Sequence, residues 1–404
     1  MIRLTLNRQR IACSKHAAQT FAVSRMPKRY TSEAGVEYII GTIEEIEQRF
    51  GARVPLASGA DGLLYRLGDK QYLLKIYYDD LALDREYQIM HAIADEMTTS
   101  EYVSRVYSVY KIDNLASTPV DFFDELSRWV YLTIGAPPIE QVEFTGVYAM
   151  VYEYFDGVPL DEYANTFLKN TPSVEQIRSI VNIVTGAFKA LDEVGIVHRD
   201  IHEGNVLISR DGRVARIIDY AQTCIIPDTI LSRHLDGKYD CEHDLDEYSL
   251  EIDWIATPKH IKELHQGSIR DKSVFFHTLR AEQVFDVGYQ LTRMIASERL
   301  IKVFGGRSRY AARDVSNDVL DELVNERLYK ADAEIDKALR TMLGMVVLNV
   351  DPEFPSELPL MPSTTSTGVS LSSSVESLRR TSRAQRRFYA TYNTGNLELR
   401  TLRM

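Results

Sequence analysis

His198-Arg199-Asp200-Ile201-His202-Glu203-Gly204-Asn205-Val206-Leu207-Ile208, followed by Ile217-Ile218-Asp219-Tyr220-Ala221, decides how this chain is read. Asp200 precedes Asn205 by five residues, and Asn205 precedes Asp219 by fourteen. Between them, residues 206–208 and 214–218 are β-rich runs joined by the turn signal Asp211-Gly212, which predicts a hairpin. Such a hairpin brings the loop at its start and the turn at its end to one edge of one site. One carboxylate there can take a proton from a nucleophile. An amide and a second carboxylate have the oxygen chemistry to hold magnesium on phosphate groups.

These residues resemble the signature of the protein-kinase superfamily. His198-Arg199-Asp200 is similar to the catalytic HRD, Asn205 to its metal-binding asparagine and Asp219 to the aspartate of DFG. HRD alone occurs by chance in many chains. An asparagine at the fixed offset and a spaced Asp turn make the signal specific, against the plainer reading of loop and cap residues.

Composition sets bounds on the rest. With 404 residues the chain can form one large or two medium domains, and 45% hydrophobic with 26% charged residues describes a globular protein. The sequence has no apolar run of eighteen or more residues, so a transmembrane helix is not expected. Three cysteines, Cys13, Cys224 and Cys241, form no CxxC pair. They suit a reducing compartment, cytoplasmic or nuclear, and suggest no disulfide framework. Cys224, His234, Cys241 and His243 lie close in sequence, but their spacing fits no zinc-finger pattern and they read as loop residues.

The net charge of −11 is unevenly spread. Residues 1–32 carry seven basic residues and no acid, and residues 379–404 carry seven arginines against Glu398. Taking +7 and +6 from −11 leaves −24 on residues 33–378. An acidic body of this kind repels nucleic acid and favours basic partners, although its simplest role is solubility. The first 32 residues have the composition of a mitochondrial transit peptide and equally of a disordered basic arm. Weak amphipathic periodicity favours the arm.

Ile39, Ile40, Ile43, Ile46 and Phe50 predict an amphipathic helix over residues 36–50. The following Leu56-Ala57-Ser58-Gly59-Ala60-Asp61-Gly62-Leu63-Leu64-Tyr65 resembles a glycine-rich nucleotide loop between strands, with Gly59 and Gly62 as its second and third glycines. Glycine lets backbone N–H groups approach phosphate. Ala57 stands where the first glycine belongs. Lys75, thirteen residues after Gly62, sits in an apolar strand, where a buried lysine is costly without a partner. By the resemblance it holds the α- and β-phosphates. A helix over residues 81–97 then carries Glu86, similar to the C-helix glutamate that pairs with this lysine. Asp84 is the alternative partner.

Residues 103–112 read as a strand, and residues 113–146 as an insert with a helix over 120–132 and a Pro137-Pro138 turn. Residues 147–157 resemble the strand and hinge between kinase lobes. The match makes Tyr152 the gatekeeper and gives the backbone of Glu153 and Phe155 to adenine. Residues 174–194 have helical periodicity ending at Gly195, and Leu207 is similar to the apolar residue under the adenine ring.

Beyond Asp219 the chain departs from the common pattern. Asp-Tyr-Ala stands for Asp-Phe-Gly, and His202 follows Asp200 two places on. Both features resemble haspin, an atypical protein kinase. Ala256-Thr257-Pro258-Lys259-His260 is weakly similar to a peptide-positioning loop. Residues 285–291 resemble the start of the F-helix, in which Asp286 braces the catalytic loop. Residues 317–350 read as helical. Four prolines from Pro352 to Pro362 then break structure before a Ser/Thr- and Arg-rich tail.

The resemblance implies a two-lobed α+β fold: a basic arm (1–32), a β-rich N-lobe with one helix (33–154), a helical C-lobe (155–350) and a disordered tail (351–404). It implies ATP and Mg2+ as cofactors. The candidate catalytic residues are Asp200, Lys75 and Glu86. Gly59, Gly62, Lys75, Glu153, Phe155 and Leu207 are candidates for nucleotide binding, and Asn205 and Asp219 for the metal. A Ser/Thr protein kinase acting on a basic protein segment is the expected function. One alternative is a small-molecule kinase of the aminoglycoside or choline phosphotransferase type, whose loops often read His-Gly-Asp-x-His-x-x-Asn. Another is a pseudokinase scaffold, against which Lys75, Asp200, Asn205 and Asp219 argue.

Overall fold

The computed structural model describes residues 27–58, 62–69, 71–77, 80–96, 101–113, 146–167, 172–241, 272–304, 325, 327–348 and 352–359. All belong to one compact unit of the chain; the second unit, residues 124–142 and 361–404, lies outside them. Gly59, the insert from 114 to 145, most of the acidic stretch after Asp240, the 256–260 motif and the Arg-rich tail also fall outside the described residues.

The architecture is the expected two-lobed α+β fold. Seven strands form the N-terminal sheet: β1 (Arg29–Thr31), β2 (Glu37–Gly41), β3 (Arg53–Ser58), β4 (Leu63–Leu67), β5 (Tyr72–Tyr77), β6 (Val106–Ile112) and β7 (Tyr148–Glu153). Their order is β1-β2-β6-β7-β5-β4-β3, antiparallel except for the β2–β6 pair. The apolar run Leu73-Leu74-Lys75-Ile76-Tyr77 of β5 is buried throughout, as a central strand between β4 and β7 requires. Helix α1 (Ile43–Phe50) precedes β3, and α2 (Asp80–Glu96) follows β5.

Two expectations change at the N-terminus. Residues 36–50 are not one helix. Residues 37–41 form β2, and α1 begins only after Thr42, whose side chain accepts from Glu45 N while the Glu45 carboxylate accepts from Thr42 N. This reciprocal cap satisfies two otherwise orphaned donors and fixes the helix start at that point. Nor does the basic arm extend to residue 32. Residues 29–31 form β1, paired with β2, and Arg29 forms an ion pair with Glu37.

The second lobe contains β8 (Gly157–Pro159), α3 (Leu160–Phe167), α4 (Val174–Glu193), β9 (Ile196–Val197), β10 (Val206–Ser209), β11 (Ala215–Ile217), β12 (Cys224–Ile225), α5 (Ile230–His234), α6 (Lys272–Phe304) and α7 (Ala333–Leu348). β10 and β11 are the expected hairpin, and β8 pairs with the other edge of β10. Helix α4 starts at a capping box of Ser173 and Gln176 and buries Ile177, Ile180, Val181, Val184, Phe188 and Leu191 in the core shared with β10, β11, α6 and α7. A stripe at this spacing is what makes an amphipathic helix a wall of the core.

The tail begins later than residue 351. Residues 352–359 pack on α4, with Phe354 and Leu358 in the core. Asn182 Nδ2 donates to Leu358 O at 2.9 Å, and Leu358 N donates back to Asn182 Oδ1 at 2.8 Å. Arg178 donates to Pro359 O and to Asp332. The prolines stand in a segment without regular structure that packs against a helix, which suits a residue with fixed φ and no N–H. Cys224 and Cys241 form a disulfide with a Cα–Cα separation of 4.9 Å, which corrects the expectation of unpaired cysteines. Among the described residues, no helix is long and apolar enough to cross a membrane.

Candidate active site

The candidate residues stand on β5, on α2 and at the two ends of the β10–β11 hairpin. Lys75 stands in β5 opposite Met150 of β7. Its Nζ lies 2.9 Å from Glu86 Oε2 and 3.2 Å from Asp219 Oδ1. Tyr77, two residues along the strand, donates its hydroxyl to Glu86 Oε2 at 2.6 Å. Lys75 and Glu86 are both buried. Burial pushes the Lys75 ammonium down, but Asp219 and Glu86 outweigh it and hold the group well above the ordinary lysine value. Burial holds the Glu86 carboxyl above the ordinary glutamate value, against Lys75 and the Tyr77 hydroxyl, which favour the charged form, and Asp219 adds to the rise. Asp84, the alternative partner, is engaged elsewhere: it accepts from Tyr38 Oη.

The loop before β10 positions Asp200 and Asn205. Asn205 Nδ2 donates to Asp200 O at 3.0 Å and to Asp200 Oδ2 at 3.1 Å. With its amide nitrogen spent on Asp200, the oxygen is what Asn205 has for a ligand. His202 Nδ1 accepts from Gly204 N at 3.0 Å, and its Nε2 lies 3.6 Å from Asp200 Oδ2. Arg293 pairs with Glu203 at 2.7 Å.

His198 lies beneath this loop and is fully buried. Its Nε2 stands 3.0 Å from Ile218 O, and its ring meets the Tyr220 ring edge-on at 5.3 Å. Burial holds its pKa below the ordinary histidine value, so the ring is neutral and Nε2–H donates to Ile218 O. Arg199 and Asp219 both adopt positive φ, 68° each, an unfavourable conformation for non-glycine residues that clusters at functional sites. Gln283 of α6 accepts from His198 N at 2.8 Å and donates to Ile196 O at 2.9 Å; Gln290 donates to Ile201 O at 3.4 Å. Asp286 lies on the same helix face between them. The two glutamines were not singled out from the sequence, although their spacing of seven on one helix is the available signal.

The other candidates are placed as follows. Glu153 ends β7, and its backbone N–H donates to Arg105 O. Phe155 follows in the turn to β8, where a Cβ on Gly157 would stand 2.4 Å from the Phe155 ring and 2.9 Å from Ile208 O. Only glycine allows that close approach. Leu207 is half-buried in β10, opposite Pro159 and Arg216. Gly62 meets β5, and a Cβ there would come 2.3 Å from Ile76 O, so strand packing by itself demands glycine at this place. The acids and amides form no cage among the described residues, in which no group of three or more His, Cys, Asp or Glu could hold a metal. An amide oxygen and a carboxylate fit Mg2+, which takes one or two protein ligands and completes its shell with phosphate and water.

A fold of two lobes, with a buried Lys–Glu pair from the first and an Asp–Asn loop with an Asp turn from the second, is the arrangement that kinase-type phosphoryl transfer requires. Residues 139–331, a little under half of the chain, match the family model described as protein tyrosine and serine/threonine kinase. The match supports a kinase domain of the protein-kinase superfamily and runs from before β7 to beyond α6, including Asp200, Asn205 and Asp219.

Proposed function

We propose that this chain is a serine/threonine protein kinase that uses Mg-ATP and acts on a basic protein segment, with the atypical loop chemistry that His202 and Asp-Tyr-Ala give it. The observation that carries the reading is Lys75 held between Glu86 and Asp219 while Asn205 holds Asp200. Lys75 would meet the α- and β-phosphates, with Glu86 fixing its position. The backbone of Glu153 and Phe155 would meet adenine above Leu207. Asn205 and Asp219 would hold Mg2+, which supplies positive charge to the phosphates. Asp200 Oδ2 accepts the proton of the substrate hydroxyl, and Asn205 keeps that carboxylate aimed. Catalysis of this kind is positioning plus charge neutralisation.

The −24 charge on residues 33–378 supports a basic substrate, because it attracts cationic peptides and repels acidic ones. The small-molecule kinase reading rests on one observation, the turn in which His202 caps Gly204 before Asn205.

A radiolabelled ATP assay with basic peptides, acidic peptides, aminoglycosides and choline at two salt concentrations separates these readings. Label on basic Ser/Thr peptides, falling as salt rises, is the expected result. Label on aminoglycoside or choline instead would replace the protein-kinase reading with the second one.

A further inference from the structure

We infer that Arg216 is a positioning residue for the adenine end of the nucleotide, acting through Glu153 and Phe155. The inference rests on the ATP reading above.

Arg216 is the middle residue of β11, three places before Asp219, and no sequence motif marks it. Its guanidinium makes five contacts. Nη1 donates to Glu153 Oε2 at 2.7 Å and Nη2 to Glu153 Oε1 at 3.3 Å, a two-pronged grip. Nε donates to Glu101 O at 3.2 Å, and Nη1 also reaches Ser104 Oγ at 3.4 Å. The charged plane stands over the Phe155 ring, 4.8 Å from its centroid. The Arg216 side chain is 13% exposed and that of Glu153 35%, so the pair is sheltered rather than a surface ion pair held in water.

The geometry decides what this grip does. Glu153 and Phe155 are the two residues whose backbone faces the base in the proposed site, and Arg216 holds both side chains at once. Glu153 accepts further from Arg105 N at 3.4 Å, so its carboxylate joins β7, β11 and the residue that leads into β6 at one point. Leu207, proposed to lie under the base, is the register partner of Arg216 in β10. The strand that leads to the Asp219 turn therefore also fixes the floor and wall of the base subsite. Lysine cannot replace arginine here, because a point charge neither forks onto a carboxylate nor stacks on a ring.

The test measures binding of Mg-ATP and of Mg-tripolyphosphate to the full chain and to Arg216→Ala, Arg216→Lys and Glu153→Gln. Tripolyphosphate has the phosphates without the base. Both Arg216 variants should weaken ATP binding about tenfold to a hundredfold, the scale of a misplaced positioning contact. Their tripolyphosphate affinity should stay within about twofold of the parent, the usual error for independent sites. Glu153→Gln keeps shape and backbone, so it tests the same contact even if an Arg216 variant folds poorly, and it should show the same selective loss. Equal ATP binding by the parent and all variants would overturn the inference, and so would a parallel loss of ATP and tripolyphosphate. A parent that binds tripolyphosphate but not ATP would instead overturn the nucleotide reading, and this inference with it.

Discussion

Lys75 Nζ stands 2.9 Å from Glu86 Oε2, one on β5 and the other eleven residues on in α2. The contact ties a central strand to a helix and leaves Asp219 Oδ1 as the lysine's second partner, 3.2 Å away. Both members of the pair are buried, so each charge depends on the other for its solvation.

Glu86→Ala removes one partner and leaves the Lys75 ammonium with Asp219 alone. Breaking a buried pair in this way costs about 3–5 kcal/mol of stability. The Tyr77 hydroxyl loses its acceptor as well. Urea unfolding should show that loss, and Mg-ATP should stabilise the variant less than the parent. A parental urea midpoint and parental nucleotide stabilisation would show that the pair carries neither load.

Asp200→Ala separates chemistry from binding. In the proposed mechanism Asp200 acts on the acceptor, and its hydrogen-bond partner is the Asn205 amide, whereas Lys75 is held by Glu86 and Asp219. Turnover should fall about a hundredfold to ten-thousandfold, the contribution of a placed general base. Nucleotide binding should stay near the parental value. Asp219→Asn is the complementary variant, which should lose the magnesium-dependent part of ATP stabilisation. Near-parental turnover of Asp200→Ala would mean that Asp200 is not the base and that the activity comes from a contaminant, which is the scaffold reading.

The Cys224–Cys241 bond closes a loop that reaches α2. Ile225 N donates to Tyr239 O, and Cys241 N donates to Ile225 O, both at 2.9 Å. Within that loop Lys238 donates to Ala34 O and, at 3.4 Å, to Gln88 of α2, while Arg85 of α2 lies over the Tyr239 ring. A cross-link over a loop of this length contributes about 3 kcal/mol, mainly by restricting the unfolded chain. Thermal melting with dithiothreitol should fall by several degrees, and Cys224→Ser/Cys241→Ser should melt low with or without reductant. Coincident melts of parent and double variant would remove the bond from the stability account.

The site was more legible than the frame around it, for physical reasons. Asp200, Asn205 and Asp219 lie at offsets that a hairpin converts directly into proximity, so their grouping can be read from spacing. Lys75 announced a partner because a lysine in an apolar strand needs one. Arg216 and Glu153 are 63 residues apart, and only the β8–β10–β11 register brings them together. The Cys224–Cys241 pair has a separation of 17 and fits no motif. Residues 36–50 misled because their isoleucines satisfy a helical period across a strand and a helix. The Thr42-x-x-Glu45 box was the overlooked sign of the boundary. The packing of residues 352–359 is not legible in their prolines, which end helices but equally suit an irregular segment laid on a helix.

His198 gives the fold a pH dependence whose sign follows from its burial. The ring is fully buried, donates to Ile218 O and rests against Phe188 and Tyr220. Burial lowers its folded pKa below the ordinary histidine value near 6.5, against Asp200, Ile218 O and Asp219, which favour the charged form. The unfolded chain therefore binds a proton in the window between the two values that the folded chain does not. The stabilising contribution is complete above the unfolded value and is lost as pH falls from about 6.5 through the folded one. Carboxylates add their own acid dependence, so the parent alone does not isolate the ring. His198→Gln, which keeps a donor for Ile218 O and has no proton to gain, supplies the reference. Urea unfolding of both proteins at pH 7.5 and 5.5 should show the parent losing more stability than the variant on acidification. An equal loss in the two proteins would mean that His198 titrates alike in both states, and that its burial does not control its charge.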